Sequence, residues 1–342
     1  MMMQSGFFDL QDRYQKLSAL GDPLDVINGV VKWESFRPIL KSALKKTRKS
    51  HAGRKSYDAV LMFKVLVLQS LYNLSDEQTE YQIRDRFSFL RFLGLTPESA
   101  VPDATTVWLY REPLKEARVM EKLFAHFESY LSSLGYQAQK GTVVDARIVE
   151  VPKQRNTRDE RQTLKDGWIP AQWVSQPAQL AQKDTEARWT QKHGQNFYGY
   201  KNHIAIDVKH KLVRGYAVTP ASVHDSQVFE SLLDAPNTRA AVWADSAYAS
   251  ERTNRRLKQL GIQNPVHERP WREPTLTQAQ RRRNRARSRI RARVEHVFGH
   301  QVTVMRQTIL RTIGRARAEV KIGLSNLVYD MSRLGQLERL AP

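Results

Sequence analysis

Cysteine is absent from the 342-residue chain, which excludes disulfides and every thiolate metal site, zinc fingers included. Long apolar runs are missing as well. The most apolar stretch, Val60 to Leu74, is interrupted by Lys64, Gln69 and Asn73 and is too short to span a bilayer. The opening Met1-Met2-Met3-Gln4-Ser5-Gly6-Phe7-Phe8-Asp9 has neither the basic start nor the apolar centre of a secretory signal. The expectation is therefore a soluble, cytoplasmic protein with no membrane partner. Acid is scarce too: 35 Asp and Glu stand against 55 Lys and Arg, a net charge of +20. An apolar content of 41% is ordinary for a folded chain, and the length allows two or three domains with proper cores. Clustered positive charge on so large a globular body is the electrostatic signature of a nucleic-acid binder.

Acid is scarcest from Arg281 to Arg293, a run with eight arginines and no carboxylate. A single carboxylate, Glu295, then appears just as the pattern turns apolar. Ile290, Val294, Val297 and Phe298 recur at helical spacing, which predicts an amphipathic helix docked on a core. Glu295 follows Arg291 by four residues and so lies one turn along on the same side. The bland reading is a surface i,i+4 ion pair. The sharp reading is a carboxylate held among cations to bind a metal beside a polyanion.

The rest of the chain weighs these readings. Residues 1–55 read as short helices with a basic exit from Lys41 to Lys55. A helix follows through Tyr57, Val60, Leu61, Leu68, Leu71 and Tyr72, apolar nearly all round and hence buried in a bundle. Ser75-Asp76-Glu77-Gln78 caps a second helix, and Asp103 in Pro102-Asp103-Ala104-Thr105-Thr106 caps a third. That third helix shows Thr105, Thr106, Trp108, Tyr110 and Arg111, a surface suited to a groove or a phosphate. The module reads as helix-turn-helix-like. Residues 114–134 form a further helix, ended by Gly135.

At Gly141 the period changes from 3.6 to 2. Thr142 to Val151 is a strand with Asp145 at its middle, a poor strand residue and costly if buried unpaired. Residues 153–192, with Trp168, Pro170, Trp173 and Pro177, read as a polar insertion or loop outside the core. Tyr198 to Val208 and Leu212 to Thr219 form an antiparallel hairpin, and His224-Asp225-Ser226 opens a helix through Leu233, with Asp225 as its cap. A short buried strand, Ala240 to Ala244, ends in Asp245, a position where open α/β sheets place ligand-binding residues. A helix from Ser250 to Leu260 and a last strand from Gln263 to Glu268 lead into the arginine run. The predicted fold is α+β or α/β: an all-α region over 1–135, then a mixed sheet of ribonuclease H type over 136–335. Three carboxylates without cysteine suit hard divalent cations held by oxygen.

The chain resembles the IS5 family of bacterial insertion-sequence transposases, which have a DDE catalytic core. The resemblance rests on Tyr72-Asn73-Leu74-Ser75-Asp76, Pro102 to Thr106, Gly141 to Ala146, Gly199-Tyr200-Lys201-Asn202-His203, His224-Asp225, Ala244-Asp245-Ser246-Ala247-Tyr248, Glu268-Arg269-Pro270 and Arg291-Ala292-Arg293-Val294-Glu295-His296. It implies that Asp145, Asp245 and Glu295 are catalytic and hold Mg²⁺, for which Mn²⁺ substitutes. His224, Asp225 and His296 support them. The DNA contacts it implies are Arg287, Arg289, Arg291, Arg293, Lys201, Thr105, Thr106 and Arg111. Arg291 matches the arginine of the family's tyrosine–arginine–glutamate–lysine signature, but Ser288 and Val302 stand where the tyrosine and lysine are expected. The implied activity is binding of terminal inverted repeats in double-stranded DNA, cleavage at the element ends, and joining of 3′ ends to target DNA by a nucleoid-associated homodimer. The rival readings are a catalytically retired, transposase-derived DNA-binding protein and a plain ribonuclease H-fold nuclease.

Overall fold

The computed structural model of the chain describes residues 9–44, 56–116, 118–233, 237, 241–270 and 275–340. The opening segment to Phe8, the basic exit from Lys45 to Lys55 and Ala240 lie outside the described residues. The chain forms two compact units. One is Met1–Ser129 with Leu327–Pro342, the other Tyr130–Asn326.

The first unit is helical. In order it contains α1 (Asp9–Ala19), α2 (Pro23–Val30), α3 (Arg37–Ala43), α4 (Ala59–Tyr72), α5 (Asp76–Asp85), α6 (Phe87–Leu93), α7 (Ala104–Arg111) and most of α8 (Val119–Ser133). The expected caps form: Ser75 accepts from Gln78 N at 3.1 Å, and Asp103 from Thr106 N at 2.7 Å. Both satisfy amides that the first helical turn leaves without partners. Helix α4 is buried on most sides, with Met62, Val65, Val67 and Leu68 fully enclosed. Trp33, Phe36, Phe63 and Phe92 interlock around it, Trp33 meeting Phe92 edge-on at 5.4 Å. Edge-on pairs add about 0.5–1.5 kcal/mol to area burial.

The second unit is built on a mixed sheet: β1 (Thr142–Glu150), β2 (Arg188–Lys192), β3 (Gln195–Asp207), β4 (Val213–Pro220) and β5 (Val242–Trp243). The order is β2-β3-β1-β5, with β4 also paired to β3. Strands β1 and β3 are antiparallel with Asp145 opposite Ile204, while β1 and β5 are parallel with Thr142 opposite Val242. At Gly199 (φ 151°) a side chain would run into the Val149 carbonyl, so only glycine lets β1 and β3 approach there. One face of the sheet carries Val144, Ala205, Phe229, Val242, Tyr248 and Leu257, and another cluster gathers Val149, Tyr198, Tyr200, Val218 and Ile322.

Several elements differ from the sequence expectations. Residues 153–192 contain α9 (Arg158–Lys165), α10 (Ala171–Val174), α11 (Pro177–Leu180) and strand β2. Trp173 is fully buried there, its indole N–H donating to Glu160 at 2.9 Å. The segment is polar by composition yet packs on one satisfied tryptophan. The helix expected from His224 is instead two short 3₁₀ turns, Asp225–Gln227 and Phe229–Leu232, and the cap is His224, not Asp225. The last strand shrinks to one bridge, Ala241 with Gln263. After α12 (Glu251–Gln259), the arginine helix breaks at Ala292 into α13 (Gln278–Arg291) and α14 (Arg293–Thr303). Helix α15 (Arg315–Leu340) closes the chain. In the second unit its Asn326 exchanges amide hydrogen bonds with Asn202 and accepts one from Gln301, a buried and mutually satisfied set. Among the described residues no helix is long and apolar enough to cross a membrane.

Candidate active site

Asp145 lies mid-strand on β1. Continuing the β1–β5 register two residues past its last pair brings Asp145 level with Asp245. Asp245 follows β5 directly and caps the 3₁₀ turn Ser246–Tyr248 by accepting from Ala247 N at 2.7 Å. The parallel pairing explains why two aspartates a hundred residues apart share one place.

Arg291, the last residue of α13, joins the pair to Glu295. Its Nη1 donates to Asp145 Oδ2 at 2.6 Å and its Nη2 to Glu295 Oε1 at 3.2 Å. Asp145 also accepts its neighbour Ala146 N–H at 2.8 Å. Burial pushes the Asp145 carboxyl up to about 6, and Asp245 adds to the rise while Arg291 opposes it. Half-buried carboxylates that lie close to each other call for positive charge, and here one guanidinium supplies it. Glu295 stands in the first turn of α14 with its side chain 64% exposed, linked to Asp145 through Arg291. Among the described residues no three acidic or imidazole side chains form a closed cation-binding group.

The donor chemistry nonetheless fits a hard divalent ion: two neighbouring half-buried carboxylates and a third on an exposed side chain, all oxygen. For Glu295 to join Asp145 and Asp245 directly, Arg291 has to give up its place.

Three groups near this centre escape a motif reading. Tyr248 is fully buried against Phe229, and its hydroxyl has no partner among the described residues. Burial first, then the carboxylates of Asp225, Asp145 and Asp245, raise its ionisation well above the usual phenol range, so it stays a protonated donor. His267 contacts Ser288 at 3.3 Å, and burial followed by Arg291 lowers its affinity for a proton. Arg147, two residues along β1 from Asp145, donates to the Gln307 carbonyl. Tyr248 alone had a sequence signal, as the end of the Asp245-Ser246-Ala247-Tyr248 block.

The remaining sequence-derived residues are dispersed. Lys201 donates to Asp225 at 2.7 Å and to the Val223 carbonyl at 2.8 Å, so it is committed inside the fold. Asp225 also faces His203 at 4.0 Å, while His224 caps its turn through Ser226. Arg287 donates to the Val266 carbonyl and Glu268, and Arg293 to the Val208 carbonyl. In the helical unit Arg111 pairs with Asp76 through both nitrogens, at 2.6 and 2.8 Å. Thr105 is exposed, Thr106 half-buried, and Arg289 and His296 lie exposed on α13 and α14.

A helical unit followed by a mixed sheet that sets two aspartates side by side under an arginine and a glutamate describes a carboxylate-centred α+β protein. The chain belongs to the family described as Transposase DDE domain, which matches residues 136–331, more than half of its length. Residues 11–113 match a second family, Transposase domain (DUF772). Among solved structures the chain is similar to the cryo-EM structure of a piggyBac transposase synaptic complex with hairpin DNA. There the identity is 11%, the TM-score 0.44, and coverage 93% of this chain and 76% of the other.

Proposed function

We infer that this DDE-superfamily transposase is the enzyme of an insertion sequence of the IS5 kind. It binds terminal inverted repeats, cuts DNA at the element ends and joins the 3′ ends to target DNA. The observation that carries this reading is that Asp145 on β1 and Asp245 just beyond β5 lie close enough to act on each other's charge, with Arg291 tying Asp145 to Glu295. In the reading, the sheet is a ribonuclease H-like scaffold, and Asp145, Asp245 and Glu295 hold divalent ions, Mg²⁺ with Mn²⁺ as substitute. When bound, such ions activate the attacking oxygen and stabilise the leaving one in phosphodiester displacement.

This chain's own residues do the rest. Burial favours the protonated form of Asp145, and positive charge facing it favours the ionised one. Arg291 provides that charge at rest, and its planar fork suits a phosphate once it leaves Asp145. Tyr248 brings a protonated hydroxyl close to the same carboxylates. His224, Asp225 and His296 remain supporting positions, Asp225 by anchoring Lys201.

The test is cleavage and joining of a duplex carrying the element's ends in Mg²⁺. Asp145→Asn and Glu295→Gln are expected to lose at least about 100-fold in both steps, in line with removal of a group that stabilises transition-state charge, while DNA affinity persists. Normal cleavage by either variant would overturn the assignment. The second reading, a retired DNA-binding descendant, is favoured by the Arg291–Asp145 contact. It predicts no metal-dependent cleavage by the unaltered protein.

A further inference from the structure

Helix α13 has two faces with opposite fates. Along one, Arg283 makes a two-pronged pair with Glu268 at 2.8 and 2.9 Å, and Asn284 bonds the Glu268 backbone at 3.0 Å. Arg287 and Arg291 continue that stripe onto Glu268 and Asp145. These residues recur at intervals of three and four, so they form one side of the helix, and their side chains are engaged by partners in the fold, Arg283 while still half exposed.

The other side carries Arg281, Arg282, Arg285 and Arg289. All four are exposed. None has an ion pair or side-chain hydrogen bond among the described residues, and the sequence offers no acid between Glu273 and Glu295. They line a recess of about 740 Å³ together with Gln278 and Ala286. Arg281, Arg285 and Arg289 stand one above another at steps of four residues, roughly 6 Å each at 1.5 Å of rise per residue. So much uncompensated charge on one helix repels itself, and a solvated helix would be expected to carry interleaved acids. The repulsion is relieved by an extended polyanion, not by a single small anion, which could meet only one or two of the guanidiniums.

We propose that this exposed face of α13 is the surface on which the phosphate backbone of duplex DNA lies, leading to the carboxylates at the helix end. Arg281, Arg282, Arg285 and Arg289 make the phosphate contacts. Arg283, Arg287 and Arg293 serve the fold. Duplex DNA is favoured over an anionic lipid surface because the row is arginine throughout, with no apolar residue larger than Ala286 beside it to enter a bilayer, and amphipathic surface binding requires one. The placement rests on the transposase reading for the identity of the polyanion, and it divides the arginine run differently from a contiguous track.

The test uses the full-length protein and a fluorescent duplex of arbitrary sequence, titrated by anisotropy across a salt series. The triple variant Arg281→Gln/Arg285→Gln/Arg289→Gln is expected to bind at least about 10-fold more weakly. Its log–log salt slope should fall by about 2.7, at roughly 0.9 for each phosphate that is no longer neutralised. Arg283→Gln, on the docked face, should keep the slope of the unaltered protein. Melting curves establish that each variant is folded; all three triple positions are exposed, so their fold should be unaffected. Equal slopes for the triple variant and the unaltered protein, or an equal loss in Arg283→Gln, would overturn this surface while leaving the transposase reading intact. Failure of the unaltered protein to bind any duplex would instead sink both. Loss confined to phosphatidylserine vesicles, with DNA affinity unchanged, would assign the face to a membrane and refute the proposal.

Discussion

Single residues in this protein are placed by charge as much as by packing. Asp145 would be an error in an ordinary strand, since a mid-strand carboxylate interrupts pairing and loses hydration. Its reason is the neighbour across the register, Asp245, and the guanidinium that faces both it and Glu295. His203 shows the converse. It is fully buried on β3, its Nε2 bonded to Thr219 at 2.8 Å and its Nδ1 without a hydrogen bond among the described residues. Burial lowers its pKa to about 4; Asp225 opposes the shift and Lys201 assists it. The folded state therefore refuses a proton that the unfolded chain accepts below its ordinary value near 6.5. Stability from this group is complete well above pH 6.5 and is lost as pH falls through that value towards 4, by at most about 3–4 kcal/mol. His203→Gln is expected to flatten the fall in urea-unfolding stability across that window relative to the unaltered protein. Parallel pH profiles for the two proteins would show that His203 does not titrate in the transition.

At the scale of elements, the same argument separates fold-forming cations from those left for a ligand. Arg111 ends α7 on a surface that reads as suited to phosphate, yet its guanidinium is held by Asp76 and Gln69 and its side chain is 12% exposed. Removing one partner of a buried pair strands the other charge, so Arg111→Met should destabilise the protein by about 2–4 kcal/mol. A phosphate contact would behave otherwise: binding would weaken with no change in the unfolding midpoint. Chemical denaturation beside DNA titration distinguishes the two. What the sequence could reveal at this scale followed from local rules. The caps at Ser75 and Asp103, the β1 strand and the β3–β4 hairpin all obey signals within a few residues. The break at Ala292 does not, because α13 is docked by Glu268 and Asp145, partners 15 to 146 residues away in sequence. The insertion misled for a related reason: its core is one tryptophan satisfied by one glutamate, too sparse to give a periodic pattern. The aspartates were legible as misfits. The bridging role of Arg291 was not, because it depends on a strand and a helix that only the folded chain brings together.

At the scale of the molecule, a net charge of +20 has to be reconciled with the proposed action on two DNA ends. Positive charge spread over a helical unit and a sheet unit gives tight, sequence-blind attraction, which specificity must overcome through base contacts elsewhere. If about six to ten arginines and lysines meet phosphates, affinity should fall by about 10³–10⁵ between roughly 50 and 200 mM salt. Self-repulsion at that charge also opposes association of free copies. DNA removes it by neutralising the arginine face of α13 and its counterparts. A twofold assembly is the simplest that treats two equivalent ends alike, and the charge argument makes it conditional on DNA. The expectation is a species with two chains and two duplex ends when element ends are present, and a lower-order species without them at the same ionic strength. Light scattering of the protein alone and with end duplexes measures both. A stable dimer without DNA at low salt would show that apolar contacts outweigh the repulsion. A single chain on each end at every concentration would refute the twofold assembly itself.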